Sequence, residues 1–177
     1  MTALVIIVAV VVILVVLVAT RPSTFSVSRS MVINAAPDAV FPHVNDFHKW
    51  EAWSPWAKMD PNAKNSFSGL GAGVGATFAW SGNNKVGEGR MNITESRPNE
   101  LILINLEFMR PMKATNLTEF TFRPDGNQTV VTWTMSGRNN FIAKAFGLIM
   151  SCDKMIGGQF EKGLAQMKSL AEAAAPK

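Results

Sequence analysis

His43, Asp46 and His48 are the residue types that ligate zinc or relay protons, and they fall within six positions of one another. Their spacing argues against a metal, because helical residues five apart face different directions and Asp46 stands where a helix cap belongs. No further ligand cluster accompanies them, so no metal is expected. Glu88, Arg90, Asn92, Asn105, Glu107 and Glu119 are the raw material for acid–base chemistry. Strand alternation sets Glu88, Arg90 and Asn92 opposite in facing to Met91 and Ile93, and Asn105 and Glu107 opposite to Ile104, Leu106 and Phe108. If the apolar set faces the core, the polar set pairs across strands in water; if one strand is turned over, Glu88 and Arg90 become the catalytic candidates. There is no GxSxG elbow, and the single Cys152 falls on an apolar helical stripe, which reads as core. No catalytic residue is assigned.

Gly71–Ala76 matches the GxGxx[GA] pattern that cradles pyrophosphate, but Thr77–Trp80 continues it as a strand instead of the helix whose N-terminus would supply the donors. It reads as a loop between strands at the border of an interior, and no cofactor is expected. The more informative set is apolar. Trp50, Trp53, Trp56, Phe78, Trp80, Met91, Phe108, Phe120, Trp133, Met135, Met150 and Met155 all fall in elements that should enclose the interior. With ten Met and no Tyr in the chain, they describe an adaptable apolar lining with few polar anchors, suited to a hydrophobic small molecule or lipid. Any one of these side chains taken alone is core.

The elements that position them follow from periodicity. Thr24–Asn34 alternates with Phe25, Val27, Met31 and Ile33 on one side, a strand with one buried face. Pro37 suits the first turn of a helix that Pro42 bends or ends, and Asp46 caps a second short helix, Phe47–Trp53, stopped by Ser54-Pro55. Strands are predicted at 65–68, 76–81, 85–95, 101–108, 113–122 and 129–137, separated by Gly-, Pro- and Asn-rich turns short enough to imply an antiparallel meander. After Asn139-Asn140 a helical pattern runs to about Ala174, with Phe141, Ala145, Leu148, Cys152 and Ile156 on one stripe. Gly157-Gly158 weakens or kinks it.

Ahead of all this, Ala3–Ala19 is an unbroken apolar run and every charged side chain lies after it. A helix over residues 1–20 rises to roughly 30 Å, the hydrocarbon thickness. A secretory signal would want a basic start and a small-x-small cleavage site, but no Lys or Arg precedes position 21 and Val18-Ala19-Thr20 is a poor cleavage signal. Residues 1–20 are therefore expected to be a single-pass transmembrane anchor, 21–23 a linker and 24–177 one domain. Arg21 and Arg29 after the helix place that domain on the cytoplasmic side of the cell membrane. A net charge of +4, dispersed along the chain, does not favour nucleic acid; anionic headgroups are the natural counter-surface.

The element order and the residues Asn45-Asp46-Phe47, Trp50, Trp53-Ser54-Pro55-Trp56, Gly87-Glu88-Gly89, Thr132-Trp133, Lys154-Met155-Ile156-Gly157 and Phe160-Glu161-Lys162-Gly163-Leu164 resemble the START/polyketide-cyclase/pollen-allergen (SRPBCC) superfamily. Within it they are most similar to the polyketide cyclase/dehydrase and lipid transport branch, over about residues 24–172. The resemblance implies an α+β helix-grip fold: a curved antiparallel sheet around a long C-terminal helix, with a hydrophobic cavity between them. It also implies binding or transfer of a hydrophobic ligand, with a cyclase or dehydratase activity, or an interaction module with a filled interior, as the alternatives. The oligomeric state is not indicated.

Overall fold

The computed structural model describes residues 1–148 and 151–174. A first helix, α1 (Thr2–Ala19), is exposed along its length except at Val18. Seven antiparallel strands follow: β1 (Thr24–Ile33), β2 (Lys64–Ser68), β3 (Thr77–Ser81), β4 (Glu88–Arg97), β5 (Leu101–Arg110), β6 (Ala114–Asp125) and β7 (Gln128–Arg138). They form one sheet in the order β1-β7-β6-β5-β4-β3-β2. The meander expected from the turn chemistry is present, and β1 closes onto β7.

Between β1 and β2 the chain makes α2 (Pro37–Val40), α3 (Pro42–Asn45), a 3-10 turn (Phe47–Lys49) and α4 (Trp50–Trp53). Pro42 ends one helix and occupies the first turn of the next, where its missing N–H costs nothing. The Asp46 carboxylate accepts from the His48 N–H as the cap expected there.

The C-terminal helical pattern corrects the reading as one helix. It is divided into α5 (Phe141–Phe146), capped by Asn140 Oδ1 accepting from the Ala143 N–H, and α6 (Cys152–Ala174). Gly147 ends the first by donating to Ala143 O, and the Ser151 hydroxyl accepts from Lys154 N–H at the start of the second. A glycine stop followed by a serine cap is a helix boundary.

The expected weakness at Gly157-Gly158 is also corrected, because α6 runs through both residues. Gly157 instead makes room: a Cβ there would collide with the Arg29 guanidinium. Arg29 stands on the inner face of β1, with Nε 2.7 Å from Glu161 Oε1 and Nη1 3.0 Å from Asp153 Oδ1. These hydrogen bonds raise the guanidinium pKa and hold the Asp153 carboxyl below its ordinary range. At the other end of α6, Lys168 Nζ donates to Val32 O and Glu172 accepts from the Asn34 N–H. Polar pins at both ends therefore fix α6 along β1.

Between the pins, packing is aromatic. The Trp133 ring of β7 stacks on Phe160 of α6 at 4.0 Å and on Phe120 of β6 at 4.8 Å. Trp53 of α4 meets it edge-on at 5.5 Å. Trp53 has no solvent exposure, and its indole N–H donates to His43 O at 2.8 Å. Trp53→Ala should therefore cost about 3–5 kcal/mol in urea unfolding; a loss below about 1 kcal/mol would show that the ring contributes little to the core.

Candidate functional site

The strand registers arrange the inner face of the sheet in rows. Nearest the α1 end, Trp80, Gly89 and Phe108 form the first. The second runs Phe67, Phe78, Met91, Leu106, Asn116, Gly137, Phe25, and the third Ile93, Ile104, Thr118, Met135, Val27. The fourth holds Ile102, Phe120, Trp133 and Arg29, and the fifth Phe122, Val131 and Met31.

Burial changes along these rows. Ile102, Phe120, Trp133, Phe122 and Val131 in the fourth and fifth are buried, and Phe160, Leu164, Met167 and Ala171 of α6 are buried with them. In the first two rows Phe25, Phe78, Trp80 and Phe108 are only half-buried, although they pack against the same core. Arg29 in the fourth row already meets α6 near its start, at Asp153, so the first rows lie towards the open end of the grip. The aromatic side chains there form a continuous series: Phe67 to Phe78 at 5.2 Å, Phe78 to Trp80 at 6.0 Å and Trp80 to Phe108 at 5.9 Å. Trp80 is held by its indole N–H on Val86 O and lies over Gly89, where any Cβ would strike the ring.

The residues singled out in sequence thus divide into two groups. Trp50, Trp53, Phe120 and Trp133 are packed core, so the space expected between sheet and helix is filled by side chains in its deeper rows. Phe78, Trp80 and Phe108 are half-buried in the first two rows, Met91 and Met135 are buried with the core, and Trp56 is half-buried against Trp133 at 5.8 Å. Met155 is 52% exposed on α6. Met150 and the Cys152 side chain lie outside the described residues.

Two polar atoms on this face went unnoticed in the sequence. Thr118 Oγ1 in the third row and Trp133 Nε1 in the fourth are both buried and have no hydrogen-bond partner among the described residues. An unmatched buried hydroxyl costs about 1–3 kcal/mol. Alternation placed Thr118 on the face of Phe120 and Phe122, which was the available signal. Asn116, also buried, stands beside it in the second row.

The charged candidates are elsewhere. Arg90 pairs with Glu107 at 2.8 Å and Arg110 with Glu88 at 2.8 Å, on the outer face, as the alternation implied. His48 Nδ1 lies 2.9 Å from Asp46 Oδ1, while burial and then Lys49 push His43 below the ordinary imidazole value. Among the described residues no three His, Cys, Asp or Glu gather as a metal site. The glycine loop takes positive φ at Gly69, Gly73 and Gly75 and leads into β3, so no helix N-terminus follows it. It borders a cleft of about 150 Å³ with Phe47, His48 and Phe67, at the edge of the aromatic series.

Several solved structures share this architecture. Protein CV1439 from Chromobacterium violaceum superposes with a TM-score of 0.60 at 17% identity, covering 89% of this chain and all of that one. The Aha1 dimer from Colwellia psychrerythraea gives 0.56 at 19% identity, with 85% and 99% covered. The di-domain ARO/CYC StfQ of the steffimycin biosynthetic pathway gives 0.62 at 11% identity; 85% of this chain matches 51% of that one. At these identities the likeness is one of fold. No curated protein matches the chain. The family profile described as "Polyketide cyclase / dehydrase and lipid transport" matches residues 24–172, the whole sheet and nearly all of α6, and the chain belongs to that family.

Proposed function

We propose that the domain binds, and hands on, one hydrophobic small molecule or lipid bearing a polar group, beside a cell membrane in which α1 is its single-pass anchor. The observation that carries this reading is the half-exposed aromatic series of the first two rows, on the same face as a buried Thr118 hydroxyl in the third row that has no partner among the described residues. Phe78, Trp80 and Phe108 offer apolar contact, with the buried Met91 and Met135 of the second and third rows beside them, and Thr118 Oγ1 offers one hydrogen bond. Binding is favoured over turnover because Arg29 is the one ionisable side chain in the five rows, and it is already engaged by Asp153 and Glu161. General acid–base chemistry needs a titratable group within reach of the ligand. The mean hydropathy of 3.5 over α1, with 6% of it buried, supports the anchor. For orientation, Arg29 belongs to the sheet interior, and Arg21 remains as the flanking charge that favours a cytoplasmic domain.

Two substitutions test the site with an environment-sensitive hydrophobic probe carrying a carbonyl acceptor, measured on the full chain in detergent. Phe108→Ala should weaken binding about tenfold, about 1.4 kcal/mol, while costing less stability than loss of a fully buried ring. Thr118→Val should raise unfolding stability by about 1 kcal/mol, because an unmatched hydroxyl is removed, yet weaken probe binding about fivefold. Unchanged binding in both folded variants would place the ligand elsewhere.

A further inference from the structure

The open end of the grip is also the end at which α1 joins the domain. Thr24 begins β1 opposite Arg138 at the end of β7, and Phe108 opposite Ala114 puts the β5–β6 turn at the same end. Helix α5 leaves β7 there and packs beside α1. The Asn139 N–H donates to Ser23 O at 2.8 Å and Lys144 Nζ to Ala19 O at 3.4 Å, tying α5 to the exit of the apolar helix.

These two connections carry apolar side chains that the fold does not use. In α5, Phe141, Ile142 and Phe146 are 53%, 52% and 58% exposed, and the helix buries none of its residues. Met109 near the end of β5 and Met112 in the β5–β6 turn are 40% and 42% exposed. Scattered exposed apolar residues need no explanation, but these five lie at one end of the domain, the end from which an apolar helix of membrane length leaves and against which α5 packs. Basic residues accompany them: Arg21 in the linker, Lys113 in the turn, Arg138 at the end of β7 and Lys144 in α5. Apolar tips among basic side chains suit the interface of an anionic bilayer, where rings sit below the headgroups and cations among the phosphates.

We propose that α5 and the β5–β6 turn dock into the anionic phospholipid headgroup layer, so that the half-exposed aromatic rows open directly onto lipid. Phe141, Ile142, Phe146, Met109 and Met112 insert, and Lys113, Arg138 and Lys144 meet the phosphates. This rests on the reading of α1 as an anchor. It adds a second contact that orients the domain, since a linker of three residues holds it near the surface without choosing which face it turns to the bilayer.

The test uses the full chain with Cys152→Ser, carrying one bimane-labelled cysteine from Ile142→Cys, Met112→Cys or, at the opposite β6–β7 turn, Asn127→Cys. Each is reconstituted in phosphatidylethanolamine–phosphatidylglycerol vesicles with brominated acyl chains. Insertion to about 5–10 Å should quench positions 142 and 112 at least about twofold and leave 127 unchanged. Adding Lys113→Glu with Arg138→Glu should reduce that quenching. Equal signals at 142, 112 and 127, with the chain still resisting alkaline carbonate extraction, would overturn the docking and leave the anchor standing. Release of the intact chain by carbonate would overturn both.

Discussion

The stack of Phe120, Trp133 and Phe160 is the interaction on which the rest of the domain depends. It joins the middle of the sheet to α6 through ring faces at 4.8 Å and 4.0 Å. Trp53, Trp50 and Trp56 then lock the short helices onto the same ring edges. Aromatic contacts of this kind contribute beyond their buried area and have preferred geometry, so they determine distance as well as attraction. Two glycines allow the approach: a Cβ at Gly163 would press on Trp133 at 3.0 Å, and one at Gly157 would strike Arg29. Because the stack fills the deeper rows, any room for a ligand is pushed to the end where α6 begins.

That division gives the half-exposed aromatics their meaning. A ring that is buried can be explained by stability alone. Phe78 and Trp80 of β3 and Phe108 of β5 pack against the core on one side and remain half open on the other, Trp80 meeting Phe108 across Gly89 of β4. Thr118 adds a second anomaly: a buried hydroxyl left unmatched among the described residues is a cost that folding does not require, and a bound polar group would remove it. Both features fall towards the end of the sheet where α1 emerges.

Much of the fold was legible in sequence because period-two alternation is a direct consequence of the pleat. Val27 and Ile33, or Met91 and Ile93, could be assigned inward from their spacing, and Arg90 and Glu107 outward. The helix boundary at Gly147 and Ser151 was missed because the apolar stripe continues across it, and periodicity outweighed two local stop and start signals. Gly157 was misread as a weak point because its reason lies on another strand: Arg29 is far away in sequence and only the register brings it there. The site was less legible still. Composition could nominate Trp53 and Trp80 together, but only three-dimensional burial separates a core ring from a lining one.

Native mass spectrometry of the detergent-extracted full chain shows whether the domain carries a bound hydrophobic molecule. Ligand binding in the first two rows requires a discrete hydrophobic molecule, carried through purification, that stays bound at activation energies stripping nonspecific detergent and lipid. It also requires this adduct to be depleted in Phe108→Ala while that variant retains its fold. A spectrum showing the bare chain alone, or the same adducts in equal amounts on both proteins, would contradict it.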